Sequence, residues 1–331
     1  MKTISFFRIA IIVCCLGLFF ACSKTSSSGT TSTATTVDNL QTQSDDQTMA
    51  SNEDDAMNSD ADAAMSSNAS IAGSSLNATT ANNRIGDMGV NGIDSASVIC
   101  DATITVDTTS STRTVTITYN GSNCWGNRTR TGSIVITVPR GIHWGDSAAT
   151  ASITIDALKI TRVSDNHTIT FNGNKTITNL TGGLLKNLAT LQTIMHSISA
   201  TMTITYNNGK TADWNCSKQR VFTYNDGVVI TTTGTHSDGT NTNVAEWGTN
   251  RFGVSYESLI TTPKVIAQSC DYRLTAGANE LLNGNNSATA TITYGLDSTG
   301  APTTCPGSGS YYAELVFVSA AGKTYTYIFP Y

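Results

Sequence analysis

The stretch "TIMHSISATMTITY", Thr193 to Tyr206, decides the fold. Its even positions are Ile194, His196, Ile198, Ala200, Met202, Ile204 and Tyr206, and its odd positions are Thr or Ser apart from Met195. A period of two over this length is a strand with one buried and one wet face. His196 falls on the apolar side, as a packed core histidine rather than a ligand. Shorter runs of the same kind occur at 102–106, 114–119, 133–138, 152–160, 168–171, 220–224, 228–233, 253–260, 264–269, 287–294, 311–318 and 323–329. Asn120-Gly121, Asn172-Gly173, Asn208-Gly209, Asp226-Gly227, Asp238-Gly239 and Asn283-Gly284 punctuate them with dipeptides suited to hairpin turns. One helix is expected at Gly183–Leu191, where Leu184, Leu185, Leu188 and Leu191 share a face. These patterns predict an all-β chain, an antiparallel sandwich-like fold built of hairpins. It would occupy 90–331, with 96–180 and 181–331 as two conceivable sub-domains.

The tetrapeptide Thr-Ile-Thr-Tyr that ends this strand recurs at Thr116–Tyr119 and Thr291–Tyr294. Ile and Tyr point one way and the threonines the other, which suits a half-buried pleated surface. The outer two copies share more. Each has a cysteine before a hairpin (Cys100, Cys270), a cysteine after it (Cys124, Cys305) and a further strand beyond. Cysteines flanking a hairpin end at the same open end, within bonding reach. The expected disulfides are therefore Cys100–Cys124 and Cys270–Cys305, with Cys216 free. In the chain-entropy account each is worth about 3 kcal/mol. The segments "CDATITVD", "TVTITYNGSNCWGNRTRTGSIVIT", "NGNKTITN", "NGKTADWN" and "CDYRLTAG" together resemble a family of uncharacterised Bacteroidota lipoproteins, which carry a Cys-hairpin-Cys unit near each end. That resemblance implies no catalytic residues.

The chain opens "MKTISFFRIAIIVCCLGLFFACSK". Lys2 and Arg8 precede an apolar run from Ile9 to Phe20, followed by Ala21 and Cys22. The run is short of the roughly 20 residues that span a bilayer, and it resembles a bacterial lipoprotein signal in which Cys22 becomes the lipidated first residue. Residues 1–21 are then a signal peptide, and the expected location is the outer membrane, anchored by lipid. From Ser23 to Arg84 the chain has no aromatic residue and no proline. It carries eight acidic residues: Asp38, Asp45, Asp46, Glu53, Asp54, Asp55, Asp60 and Asp62. Such a composition buries little apolar surface, so residues 22–89 are expected to form a disordered, solvated tether with a reach of about 45 Å. "DDAMNSDADAAM" within it is expected to be helical only transiently.

Charges nearly cancel beyond residue 90 and no basic stripe exists, which argues against nucleic acid as a partner. His143, His167, His196 and His236 are scattered without metal-ligand spacing, so neither a metal site nor a cofactor is expected. No nucleophile elbow or phosphate loop occurs. Glu246, Glu257, Asp213 and Glu314 lie on strands where nothing fixes their separation. Trp125 and Trp144 sit in Gly- and Asn-rich loops beside Arg128 and Arg130, a mix of stacking faces and donors suited to a polar, ring-containing ligand. The alternative for both Trp is core packing. The expected function is that of a lipid-anchored envelope protein, structural or surface-presenting and not an enzyme. A second reading is a carbohydrate-binding or adhesion module, with a polysaccharide or another envelope protein as partner. A third, a glycan hydrolase, would need carboxylates converging in a cleft. Four loop stretches also resemble Bacteroidota O-glycosylation sequons: Asp94-Ser95-Ala96, Asp107-Thr108-Thr109, Asp146-Ser147-Ala148 and Asp297-Ser298-Thr299.

Overall fold

A computed structural model describes residues 28–73, 99–284, 289–307, 309–318 and 322–331, with helix side chains described from residue 37. The lipidation residue Cys22, the signal peptide and the Asp94 sequon lie outside the described residues. The other three sequons fall in exposed turns.

Fourteen antiparallel strands form one continuous sheet. They are β1 (Ala102–Asp107), β2 (Thr112–Ser122), β3 (Arg128–Pro139), β4 (Ala149–Arg162), β5 (His167–Asn179), β6 (Thr193–Tyr206) and β7 (Thr211–Tyr224). There follow β8 (Val228–Gly234), β9 (Val244–Thr249), β10 (Ser255–Ala267), β11 (Arg273–Asn283), β12 (Thr289–Leu296), β13 (Tyr312–Val318) and β14 (Thr324–Pro330). Each strand pairs with its neighbour in sequence, apart from one rung. There β8 and β9 lie end to end between β7 and β10: β8 pairs with Lys218–Tyr224 and β9 with Asp213–Cys216. The pairing of β5 with β6 runs from Ile169↔Tyr206 to Asn179↔His196, so the sheet crosses position 180 unbroken and no sub-domain boundary falls there. Among the described residues, β1 and β14 are each paired on one side only.

The antiparallel β class and its hairpin construction hold. What faces the sheet is a helix rather than a second sheet. The stretch expected to be a disordered tether forms α1 (Ser28–Ser67), followed by the single turn α2 (Ala69–Ala72), which Asn68 caps through its side chain and Gly73 closes in the left-handed region. From Asn39 on the helix belongs to the same compact unit as the sheet. Met49, Ala50, Ser51, Asp54, Met57, Ala61, Ala64 and Met65 are all buried, and Asn52 and Ala56 on another side are half-buried. The sheet curls around it: residues of β2, β3, β4, β5, β7, β9, β10, β11 and β12 all bond or touch it.

A helix with so few large apolar residues stays buried because its neighbours supply charge. The inner sheet face carries Arg128, Arg130, Arg162, Lys175, Lys218, Arg220 and Lys264, all buried. Arg128 meets Glu53 at 2.8 Å, Arg130 meets Asp60 at 2.7 Å, and Arg162 meets Asp45 at 2.7 Å. Lys175 and Lys218 both reach Asp54, and Arg251 reaches Asp46. Each recurring tyrosine also serves this interior. Tyr119 donates to Asp60 at 2.9 Å, Tyr206 lies under Arg251, and Tyr294 lies beside Thr48 and Lys264.

Several local expectations change. Asn120-Gly121 and Asn172-Gly173 lie inside β2 and β5 rather than in turns. A Cβ on Gly173 would stand 2.3 Å from the Thr201 carbonyl oxygen, so that glycine permits close strand approach. The runs 253–260 and 264–269 are mostly one strand, β10, whose register slips around Pro263 because proline cannot join the ladder. Strand β9 was not expected, while β11 is the first arm of the hairpin expected between Cys270 and Cys305. The Leu-rich helix shrinks to a 3-10 turn, Leu185–Asn187, and α3 (Leu188–Leu191).

The ion pairs make a quantitative expectation. Arg130→Met strands the Asp60 and Asp101 carboxylates in the interior, which costs about 3–5 kcal/mol. Arg140 is exposed and bonds only to loop carbonyls, so Arg140→Met should change stability by less than about 0.5 kcal/mol. Urea denaturation of both variants measures the contrast.

Candidate functional site

Both expected disulfides are present, Cys100–Cys124 and Cys270–Cys305, and Cys216 is free and buried. They stand on two sides of one cleft. Cys124 precedes Trp125 in the turn between β2 and β3, and Cys270 precedes Asp271, Tyr272 and Arg273 at the start of β11. A cleft of about 160 Å³ lies between these segments, the helix residues Asn52, Glu53, Asp55, Ala56 and Ser59, and the tyrosines 311 and 331.

Its walls combine aromatic faces with charge. The Arg273 guanidinium stands 5.8 Å from the Trp125 ring centre and 5.1 Å from that of Tyr311, while donating to the carbonyls of Gly307 and Gly309. Tyr311 and Tyr331 stack, with ring centres 6.2 Å apart. Asp271 and Tyr272 both have positive φ, 59° and 55°, in the left-handed region that costs a non-glycine residue energy. The Cys270 disulfide holds this strained corner next to the cleft. Two polar atoms of the lining are buried without a hydrogen-bond partner: Asp55 Oδ1 and Tyr311 Oη. Burial raises the Tyr311 phenol above its ordinary range, so at neutral pH it is a hydroxyl able to donate.

The residues singled out from sequence divide here. Trp125, Arg128 and Arg130 line the cleft, the last two with their charges turned to the helix. Trp144 does not: it is 1 % exposed, donates from Nε1 to Asp62 at 2.7 Å, and packs against His196. Trp144 keeps its place in the loop between β3 and β4, but the expectation that it is exposed is corrected to the alternative, core packing. His196 lies between Trp144 and Phe222, and burial holds it neutral, its pKa pushed down to about 3. Glu246 is wholly buried against Lys218, whereas Asp213 is exposed on the other face.

Sequence reading missed Asp55, Tyr272, Arg273, Tyr311 and Tyr331. The available signal was adjacency: aromatic and charged residues directly after Cys124 and Cys270 are pinned wherever those cysteines bond. It also missed a cluster nearer the start of the helix, where ligand atoms of Asp45, Asp46 and His167 lie within 4.8 Å of one another. These residues are far apart in sequence, so no spacing announced them. Arg162 and Arg251 supply the cluster's counter-charge. Hydrogen bonds to Asp45 and Asp46 push the His167 pKa up to about 9.

No family model matches the chain, and no curated protein or solved structure matches it significantly.

The raised His167 pKa has a definite sign. Folding favours the protonated ring, so its contribution is full below the unfolded value near 6.5 and is lost as pH rises through about 9. Melting temperature should fall between pH 7 and 10, and His167→Gln should flatten that fall.

Proposed function

We propose that this protein is an exported, lipid-anchored envelope protein that binds a small polar ring, a saccharide unit, in the cleft beside α1 and does not transform it. The observation that carries this reading is the pair of buried, unpartnered atoms in the cleft wall, Asp55 Oδ1 and Tyr311 Oη. Leaving such groups unpaired costs about 1–3 kcal/mol each, so a ligand that pairs them gains that much. A sugar ring offers a hydroxyl donor to the carboxylate and an oxygen acceptor to the phenol. Its apolar face suits Trp125, with Arg273 behind. Two disulfides and a strained corner hold these groups in place before the ligand arrives, which lowers the cost of binding. The lining holds three carboxylates, Asp55, Glu53 and Asp271, of which Glu53 is tied to Arg128.

Anchoring rests on the apolar run and Cys22. The same arrangement also suits a structural envelope role, with the rigid sheet as the working part.

Calorimetry against a panel of mono- and oligosaccharides tests the binding reading. Trp125→Ala and Asp55→Asn should each weaken the best ligand about tenfold, near 1.4 kcal/mol; Trp125→Ala should do so with unchanged melting, whereas Asp55→Asn also removes a charge facing buried Arg220 and should melt lower. A panel without a ligand, or one bound equally well by both variants, favours the structural role. Separately, Cys22→Ala should move the protein from the membrane fraction to the soluble exported fraction.

A further inference from the structure

Three lysines are buried around the middle of α1: Lys175 on β5, Lys218 on β7 and Lys264 on β10, at 3 %, 0 % and 1 % exposure. Two buried carboxylates face them. Asp54 pairs with Lys175 and Lys218, and Glu246 pairs with Lys218 at 2.5 Å. Lys264 donates to Ser51, which itself donates to Glu246. The nearby Arg220 has its own opposing charges in Asp55 and Asp62. With Arg220, Asp55 and Asp62 counted, four cations face four carboxylates where water is excluded, a balanced cluster that is still costly to bury.

The surroundings of Lys175 hold more than an ion pair. Its Nζ lies 2.7 Å from Asn58 Oδ1 and also meets the Asp54 carboxylate. Asn58 sits one turn beyond Asp54 on the helix, and its Nδ2 donates to Asp54 Oδ2 at 3.4 Å. An amine, a carboxamide and a carboxylate touching both are thus held together, all three residues at 3 % exposure or less. We propose that Lys175 and Asn58 are joined by an isopeptide bond formed with the help of Asp54.

The step balances without any further reagent. The Lys175 ammonium passes a proton to Asp54, and the neutral Nζ attacks Asn58 Cγ to form the new C–N bond. Asp54 returns that proton to the departing Nδ2 as the old C–N bond breaks. Attack leaves a second proton on Nζ, which also passes to the leaving nitrogen, and that nitrogen departs as an ammonium ion, carrying away the charge Lys175 began with. The amide product is neutral, so the bond removes one ammonium charge from the interior. Fixed proximity is the driving feature, since held reactants gain effective concentrations of about 10⁵ M or more. Burial keeps water from competing for the carboxamide carbon. The bond would tie the helix covalently to the sheet at its middle.

Mass spectrometry of the exported full chain, reduced and denatured, tests this. The expected mass is lower than the reduced polypeptide, with its processing allowed for, by one ammonia, about 17 Da. Tryptic digestion should yield one species joining Thr25–Arg84 to Val163–Lys186, uncut at Lys175. Lys175→Met should restore full mass, and Asp54→Asn should leave most of the chain unjoined. Because the native digest decides by itself, a variant that fails to fold does not blunt the test. Separate linear peptides with cleavage at Lys175 would overturn the proposal. So would an ammonia loss carried by the Asn58 peptide alone, a succinimide, or a loss of water joining Lys218 to Glu246.

Discussion

A lysine or arginine on the inner face of a curled sheet is tolerable only where a carboxylate meets it. In this protein the carboxylates come from outside the sheet. The strands place Arg128, Arg130, Arg162, Lys175 and Lys218 inward, and α1 answers with Glu53, Asp60, Asp45 and Asp54. Neither partner is stable as folded without the other. The helix has too few large apolar residues to hold itself, and the sheet without it would enclose unpaired cations. Everything else follows from this mutual neutralisation: the burial of an acidic helix, the inward placement of the recurring tyrosines, and the close packing of Lys175 against Asp54 and Asn58.

The β class was legible because period-two alternation survives in nearly every strand, as Ile194 to Tyr206 shows. The disulfides were legible because hairpin logic brings the flanking cysteines together. The helix was not, since a composition-based argument treats an acidic, aromatic-free segment as solvated. The contrary signal lay elsewhere in the chain. In β7, Lys218 and Arg220 share a phase with Ala212, Trp214, Cys216 and Phe222, all buried. In β5, Lys175 shares a phase with Ile169, Phe171 and Ile177. Cations in the apolar register of several strands announce an interior anion, and the acidic stretch 45–62 was the supply. Trp144 was misplaced for a related reason: its loop context suggested exposure, but its partner Asp62 lies on the same unforeseen helix.

The cleft depends on the same construction. Asp55 reaches it only because α1 passes behind the β2–β3 turn, and Arg128 is held in its wall by Glu53. The two Cys-hairpin-Cys units, far apart in sequence, become the two braced sides of one opening. Repetition in the chain thus yields a single site rather than two.

Hydrogen–deuterium exchange of the native protein measures the central claim most directly, because it reads the backbone of α1 without altering any residue. The account predicts that amides from Leu40 to Met65 are protected as strongly as those of β5, β6 and β7, since the helix opens only with the sheet. Exchange across 40–65 at the rate of an unstructured peptide, beside a protected sheet, would contradict it.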